Sequence, residues 1–243
     1  MILWLAFLWA IVNCVYVYLV LEGDRSYRIE SSVWLLVLLI IPLTILSRRA
    51  DEPVVELTSA QKKLLVSIAV GVWLLIFLPL LDFPFLSDDF VFLALYPRLR
   101  DMGNAPQFFR PAFAVVFSTL AILGRGSAVP FHVANLLLHF LSANFVYRLT
   151  RRLFGASEPA LICFTVFLLN PLQLEATLWA SELQELLWSF FVLVALWCYV
   201  GDPSLSVTRL LATIALVAVA LLSKETATCF ILYSQRRTSL STK

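Results

Sequence analysis

The stretch LLVSIAVGVWLLIFLPLLDFPFLSDDF covers residues 64–90 and joins a long apolar run to a pair of carboxylates. Residues 64–81 contain no charged side chain, and about 18 residues of helix are enough to cross the hydrocarbon core of a bilayer. Asp88 and Asp89 follow a few residues later. The sequence therefore predicts a membrane helix that ends beside two acidic side chains at the membrane surface.

The composition of the whole chain agrees with this prediction. Of its 243 residues, 61% are hydrophobic and 14% are charged, which is outside the range of an ordinary soluble domain. The net charge of +2 is too small to indicate a nucleic-acid partner. The four cysteines lie singly in apolar segments, without the spacing of a zinc site or a disulfide framework. We expect an all-α, multi-pass integral membrane protein whose surroundings are membrane lipid.

Seven apolar segments are predicted to span the membrane, which gives a polytopic transmembrane helix bundle. The first has no basic residues before it and no cleavage site after it, so we expect a retained helix. The spans divide into a two-helix N-terminal membrane extension at residues 1–63 and a transmembrane domain at residues 64–243. The predicted spans are 2–21, 33–46, 64–81, 131–147, 159–174, 183–200 and 207–223.

The segment 112–123 decides the predicted topology. Its 12 residues would rise only about 18 Å as a helix, which is short of the bilayer core. If it does not span and the N-terminus is cytoplasmic, eleven of the eighteen basic residues lie inside; if it spans, six do. The positive-inside rule favours the first arrangement. We therefore expect this segment to lie along or dip into the outer interface, within a long outer loop at residues 82–130 that holds interfacial helices.

Residues Asp88 and Asp89 have two interpretations. An Asp before an apolar run often caps a helix, and we expect Ser87 or Asp88 to cap an interfacial helix at residues 90–98. One side chain suffices for a cap, so the second carboxylate suggests chemistry at the outer surface. Glu175 and the pair Lys224–Glu225 are predicted on the same side, where that pair fits a structural ion pair and a ligand contact equally well.

A polar stripe is predicted along the span 131–147. At 100° per residue its four polar members fall within about 80° of one another, so the stripe faces protein or water. Its members are His132, Asn135, His139 and Ser142. Interhelical hydrogen bonding explains Asn135 and Ser142. His132 lies near the outer end and is therefore a candidate site residue.

Five segments occur in an order that resembles the N-terminal half of the GT-C membrane glycosyltransferases. This superfamily includes the protein O-mannosyltransferases and the aminoarabinose transferases that act on lipid A. The resemblance covers about residues 64–233 and departs from the family pattern at Asn170, where a His is usual. The segments are LSDDF (86–90), RPAF (110–113), FHVANLLLHFLSANFVYRLTRRLFG (131–155), NPLQLEA (170–176) and LLSKE (221–225).

The resemblance implies a transferase that moves a hexosyl or pentosyl group from a polyprenyl-phosphate donor to an acceptor on the outer or lumenal face. Asp88 or Asp89 would be the catalytic base that removes the acceptor proton. Arg110 and Lys224 would hold the lipid phosphate, because a guanidinium can grip two phosphate oxygens at once. His132 would contact substrate from the end of its helix.

A metal ion is a further implication of the resemblance. Glu175 matches an acidic position of the family motif and would orient the acceptor or help to hold a divalent cation. Family members differ in whether they use a metal, and oxygen ligands such as Asp89 and Glu175 would suit Mg²⁺ or Mn²⁺. The expected location is a bacterial inner membrane. Because family members continue with further spans, we expect the chain to be a truncated product, and its activity as a fragment stays open.

A non-catalytic membrane protein, either transporter-like or a scaffold subunit, is the alternative. In it, Asp88 and Asp89 only cap a helix. The enzyme hypothesis requires one of them close to Glu175, Arg110 or Lys224, around a cavity that opens outward. The transporter hypothesis instead requires polar groups near the bilayer midplane, such as those of the polar stripe.

Overall fold

The computed structural model describes residues 57–96, 109–170, 173–200 and 206–228, which form helices and no strand. A 3₁₀ helix, Leu78–Asp82, continues α1, and a second, Glu225–Ala227, follows α8. The all-α prediction is confirmed for these residues. The α-helices are α1 (Ser59–Phe77), α2 (Ser87–Leu95), α3 (Pro111–Gly124), α4 (Val129–Phe154), α5 (Ser157–Leu168), α6 (Gln173–Leu178), α7 (Leu183–Tyr199) and α8 (Val207–Ser223).

Two of the helical segments are long and apolar enough to cross a membrane, namely Ser59–Asp82 and Val129–Phe154. Helices α3, α5, α7 and α8 are apolar but shorter. Predicted span 159–174 is interrupted, because α5 ends at Leu168 and α6 begins at Gln173. The predicted spans 2–21 and 33–46, with most of the N-terminal extension 1–63, lie outside the described residues.

The outer surface of the helices carries large apolar side chains. Leu75 of α1 is 79% exposed, Leu123 of α3 is 68% exposed and Val207 of α8 is 72% exposed. A protein surrounded by water covers most side chains of this kind, whereas lipid tails solvate them without cost. This surface is what helices in contact with lipid would present.

Helix α4 is the central element of the bundle and contacts α3, α5, α6 and α7. Pro130 lies in its first turn, where the missing N–H removes no helical bond, and Gly155 ends it in the left-handed conformation with φ 69°. Its buried apolar side chains, among them Phe131, Leu136 and Ala143, join the core on both sides. The helix spans the bundle from one end to the other.

The polar stripe of α4 is buried, so of the two predicted surroundings, protein and water, it faces protein. Two of its members form hydrogen bonds at the ends of neighbouring helices. His132 donates from Nε2 to the carbonyl oxygen of Phe83 at 2.9 Å, just after the 3₁₀ extension of α1. His139 donates from Nε2 to the carbonyl oxygen of Leu168 at 3.0 Å, at the end of α5. Carbonyls at a helix C-terminus lack partners within the helix, so these side chains satisfy them in an apolar environment.

Asn135 has the same function for α6. Its side-chain nitrogen donates to the carbonyl oxygen of Trp179 at 2.8 Å and, with a longer contact of 3.4 Å, to that of Thr177. The interhelical role predicted for Asn135 is therefore confirmed. Ser142 is also buried, but its hydroxyl has no partner among the described residues. The stripe lets short helices end inside the bundle.

Helix α2 begins earlier than predicted and is capped by a different residue. It covers Ser87–Leu95 rather than 90–98, and Leu86 is its N-cap residue. The predicted cap by Ser87 or Asp88 is wrong, because the carboxylate of Asp89 accepts the Leu86 N–H instead. An acid in the third helical position can reach back in this way to the start of its own helix.

Helix α3 corresponds to the ambiguous segment 112–123. It buries Phe113, Ala114 and Phe117 and packs against α4, α7 and α8. The ring centres of Phe117 and Phe131 are 4.8 Å apart, which fits the preferred range for aromatic pairs. One face of α3 is therefore part of the core.

The bundle has two polar ends, which we name by their charges. The acidic end contains the start of α2, the residue before α3, the α6–α7 connection and the end of α8; its charged members are Asp88, Asp89, Arg110, Glu175, Glu182, Glu185, Lys224 and Glu225. The basic end contains the start of α1, the end of α4, the start of α5 and the start of α8; its charged members are Lys62, Lys63, Arg148, Arg151, Arg152, Glu158 and Arg209.

Candidate functional site

Asp89 is fully buried and both of its carboxylate oxygens accept backbone hydrogen bonds. Oδ2 accepts the N–H of Leu86 at 2.8 Å, and Oδ1 accepts the N–H of Ser181 at 2.7 Å. Because Ser181 lies between α6 and α7, this side chain ties α2 to that connection. Asp89 therefore positions the start of α2, and its predicted catalytic role stays a prediction.

Asp88 is the exposed member of the pair. Its carboxylate accepts a weak hydrogen bond from the neighbouring Ser87 hydroxyl at 3.4 Å. Asp88 lies in the first turn of α2, where the partial positive charge of the helix N-terminus favours a carboxylate. The anchor at Asp89 fixes this turn, so Asp88 is presented at a defined place on the surface.

Glu182 is the centre of the charged cluster at the acidic end. Burial raises the pKa of its carboxyl group, Lys224 opposes that rise, and the charges of Glu185, Glu175 and Asp88 add to it. These four charged side chains therefore lie close enough to Glu182 to change its proton affinity. The charges of three predicted site residues, Asp88, Glu175 and Lys224, therefore all act on the carboxyl group of Glu182, an acid that the sequence pattern does not single out.

Arg110 is buried and its guanidinium is held by two partners. It donates from Nε to Oε2 of Glu225 at 2.8 Å and from Nη2 to the other oxygen of Glu225, which makes a two-point ion pair. Its Nη1 donates to the side-chain oxygen of Gln184. Hydrogen bonds from Arg110 lower the pKa of Glu225 to about 2, against the smaller opposing effect of burial. Arg110 thus joins the start of α3 to α7 and to the chain after α8.

Lys224 pairs with Glu185 of α7. The other oxygen of Glu185 accepts the indole N–H of Trp188. The sequence allows Lys224 and Glu225 to form either an ion pair with each other or a ligand contact. In the structure, Lys224 pairs with Glu185 and Glu225 pairs with Arg110 instead. Both predicted phosphate-binding cations therefore have a glutamate partner.

His132 has a backbone partner. Its ring is buried and bonded to Phe83, so it stabilises the turn after α1. Its Nδ1 has no partner among the described residues. The predicted substrate contact of His132 stays a prediction.

A cavity of about 380 Å³ adjoins α2 on the side of the α3–α4 turn. Phe83, Phe85 and Phe90 form its apolar wall, and Asp82 is its acidic side chain. Asp88, Asp89, Glu175, Arg110 and Lys224 do not line it. The predicted site residues therefore lie outside this cavity.

The donor set does not fit the divalent ion that the resemblance suggests. Asp89 is fully buried and its two oxygens accept backbone N–H groups, so one of the two proposed ligands faces protein rather than an open site. Within the described ranges, no three His, Cys, Asp or Glu side chains are arranged to hold a metal ion. We therefore assign no step to Mg²⁺ or Mn²⁺.

Sequence reasoning missed three polar residues of this end: Glu182, Gln184 and Ser181. Glu182 is half-buried and Gln184 is buried, and the sequence pattern singles out neither as a site residue. The available signal was their position. A cluster of polar residues directly before a 17-residue apolar helix, Leu183–Tyr199, indicates groups that face protein.

Comparison of the chain with family models, with curated proteins and with solved structures finds no match in any of the three. The resemblance to GT-C enzymes is therefore carried by its five short segments alone.

Proposed function

We propose that the chain carries the outer-face site of a membrane glycosyltransferase, in a GT-C-like bundle with seven spans. The enzyme transfers a sugar from a polyprenyl-phosphate donor to an acceptor hydroxyl. The observation that carries the proposal is the difference between the two aspartates: Asp89 is buried and anchors the start of α2, whereas Asp88 is exposed in the first turn of that helix.

Asp88 is the base in this mechanism. Its carboxylate takes the proton of the acceptor hydroxyl while the hydroxyl oxygen attacks the anomeric carbon of the sugar. The bond between that carbon and the phosphate oxygen breaks, and polyprenyl phosphate leaves with the electron pair. A positioned base of this kind contributes about 10² to 10⁴ in rate.

Arg110 and Lys224 hold the phosphate of the donor after exchanging their glutamate partners for it. A guanidinium binds phosphate and carboxylate with the same two-point geometry, so phosphate can replace Glu225 on Arg110 without moving the arginine. The side chain of Glu225 is 62% exposed, so water can solvate it once it is released. Lys224 likewise exchanges the carboxylate of Glu185 for a phosphate oxygen.

The experiment is a transfer assay with the full chain in proteoliposomes. Radiolabelled hexosyl and pentosyl polyprenyl phosphates are offered as a panel, and wild type is compared with Asp88→Asn. We expect the substitution to reduce turnover about 10² to 10⁴-fold. Asp82→Asn is the matched control, because Asp82 is exposed at the same end and should leave turnover near that of wild type. Equal turnover in Asp88→Asn would remove the base, and no transfer from any donor would remove the function.

A non-catalytic membrane protein is the second candidate. The pairing of Arg110 with Glu225 and of Lys224 with Glu185 favours it, since paired charges at the ends of helices also have a purely structural use. The two proposals differ in topology. The enzyme needs the N-terminus in the cytoplasm of a bacterial inner membrane and residue 88 outside, so reporter fusions that place residue 88 in the cytosol would contradict it.

A further inference from the structure

The basic end contains a pocket of about 590 Å³ between α4, α7 and α8. Helix α4 contributes Arg148, Arg151 and Arg152, which share one face because they are three and four residues apart. Arg209 enters from the first turn of α8. The pocket therefore collects four guanidinium groups from two helices.

The aromatic side of the pocket fixes one of these arginines. Arg152 donates from Nη1 to the carbonyl oxygen of Trp197 at 2.9 Å, near the C-terminus of α7. Its guanidinium carbon also lies 5.4 Å from the centre of the Trp197 ring, within the range of a cation–π contact. Arg148 is oriented by a bond from Nε to Oδ1 of Asn144 at 2.8 Å. The cationic wall is therefore built by specific contacts.

We propose that this pocket binds the phosphate group of an anionic phospholipid. Arg148 and Arg151 are exposed and lie three residues apart on this wall, and a bound phosphate both reduces the repulsion between them and accepts charge-assisted hydrogen bonds. None of the described residues that line the pocket is acidic. Phosphate oxygens match the planar fork of each guanidinium.

The surroundings of the pocket favour a lipid as the source of the phosphate. The pocket lies at the end of α4, one of the two helices long enough to cross a bilayer. Phe154, at the end of α4, is 70% exposed, and Leu211 of α8 is 61% exposed, so the two helices that carry the arginines also present apolar surface that acyl chains can cover. Tyr147 and Trp197 are residue types that concentrate at the level of lipid head groups.

This site differs from the proposed donor site, which is at the opposite end of α4. Its ligand would therefore not be the sugar donor but a lipid of the other leaflet. The inference holds whether or not the chain is an enzyme.

The test measures lipid binding to the full chain in detergent micelles, by native mass spectrometry and by the shift in thermal unfolding temperature. The probes are phosphatidylglycerol, phosphatidylcholine and inorganic phosphate. We expect phosphatidylglycerol to be retained and to raise the unfolding temperature of the wild type, because a ligand that binds only the folded state stabilises it. Phosphatidylcholine should do neither.

The variant Arg148→Gln with Arg151→Gln removes two exposed guanidiniums and leaves the Arg152–Trp197 contact intact. Its affinity for phosphatidylglycerol should fall at least tenfold. The matched control is Lys63→Gln with Arg125→Gln, which removes two exposed positive charges outside the pocket and should change affinity less than twofold. Circular dichroism checks that both variants keep the wild-type helix content.

Three outcomes would overturn the proposal. Equal losses in the two double variants would mean general attraction between charges. Binding of inorganic phosphate with the expected variant dependence, without retention of phosphatidylglycerol, would make the ligand a free anion. Equal retention of phosphatidylglycerol and phosphatidylcholine would mean a site for acyl chains alone.

Discussion

The two ends of the bundle treat charge in opposite ways. At the acidic end, Arg110 and Lys224 each have a glutamate partner on another helix or segment, and the carboxylate of Asp89 accepts hydrogen bonds from backbone N–H groups. At the basic end, Arg148 and Arg151 remain exposed around a pocket. The comparison indicates that charge at the acidic end fixes how helices are placed, whereas charge at the basic end is presented to the surroundings.

The largest effect should follow from breaking the Asp89 anchor. In Asp89→Ala, the buried N–H of Ser181 and the part-buried N–H of Leu86 lose their partner, and an unsatisfied buried group costs about 1 to 3 kcal/mol. We expect the free energy of unfolding to fall by about 3 kcal/mol. Thermal unfolding in detergent, followed by circular dichroism, measures this.

Asp88→Ala is the control for that substitution. Asp88 is exposed, so its removal should change stability by less than about 0.5 kcal/mol. Equal losses of stability in the two variants would contradict the division between an anchor and a presented carboxylate.

Replacing Arg110 should have the next largest effect. Arg110→Met keeps most of the buried stem but leaves the side-chain oxygen of Gln184 without its donor and separates Glu225 from its partner. We expect a loss of about 2 kcal/mol, most of it from the buried side. Arg148→Met, at the basic end, is the comparison because Arg148 is exposed, and a loss as large as that of Arg110→Met would mean that the two ends do not differ in structural role.

The pH dependence of the unfolding free energy tests the Arg110–Glu225 ion pair. The pKa of Glu225 is lowered to about 2 from its ordinary value of 4.5, so its ionised form stabilises the folded state above pH 4.5. That contribution should disappear as the pH falls from 4.5 to 2. Because Glu225 is exposed, we expect its coupling to Arg110 in a double-mutant cycle to be below about 1 kcal/mol at pH 7. A coupling that does not change across this pH range would contradict the pair.

Apolar runs were enough to predict that the described residues are helical, but not where each helix begins and ends. Asp88, Glu175 and Lys224 belong to segments far apart in sequence, and the predicted topology placed them together because each follows or precedes an apolar run. The role of each aspartate could not be predicted. Which of two adjacent carboxylates is buried depends on the position of Ser181, whose N–H is supplied 92 residues later.

Helix ends inside the bundle were also beyond sequence reasoning. The run 159–174 is apolar enough to be interpreted as one span, but α5 ends at Leu168. There the side chain of His139 in α4 donates a hydrogen bond to the Leu168 carbonyl, which allows the helix to end inside the bundle. The stripe on α4 was visible from its spacing. The hydrogen-bond partners of the stripe could not be predicted, since the backbone carbonyls of any helix that ends nearby can accept these bonds.

A smaller effect is expected from Glu182. Its folded-state pKa is raised, chiefly by burial, so the group favours the folded state below its ordinary value of 4.5 and opposes it as the pH rises further. Glu182→Gln should therefore stabilise the protein at pH 7 and have little effect at pH 4. Glu158→Gln, at the basic end, should instead destabilise at pH 7, since it weakens the 3.0 Å ion pair with Lys62. Thermal unfolding at both pH values tests the signs, and a destabilising Glu182→Gln at pH 7 would refute the cause given for its pKa.

The smallest effect should come from Arg151, and it sharpens the comparison most. Arg151 is exposed and lies three residues from the exposed Arg148 in the same pocket, so neutralising Arg151 removes repulsion between like charges and costs no buried contact. In lipid-free detergent, Arg151→Gln should change the free energy of unfolding by less than about 0.5 kcal/mol, with a stabilising sign at low ionic strength. Added salt screens exposed charges, so the difference between wild type and variant should shrink between 10 mM and 1 M salt, as about 30 Å of screening length becomes about 3 Å. A salt-independent loss of stability would instead mean that Arg151, like Arg110, holds helices together, and the basic end would then have the structural role that distinguishes the acidic one.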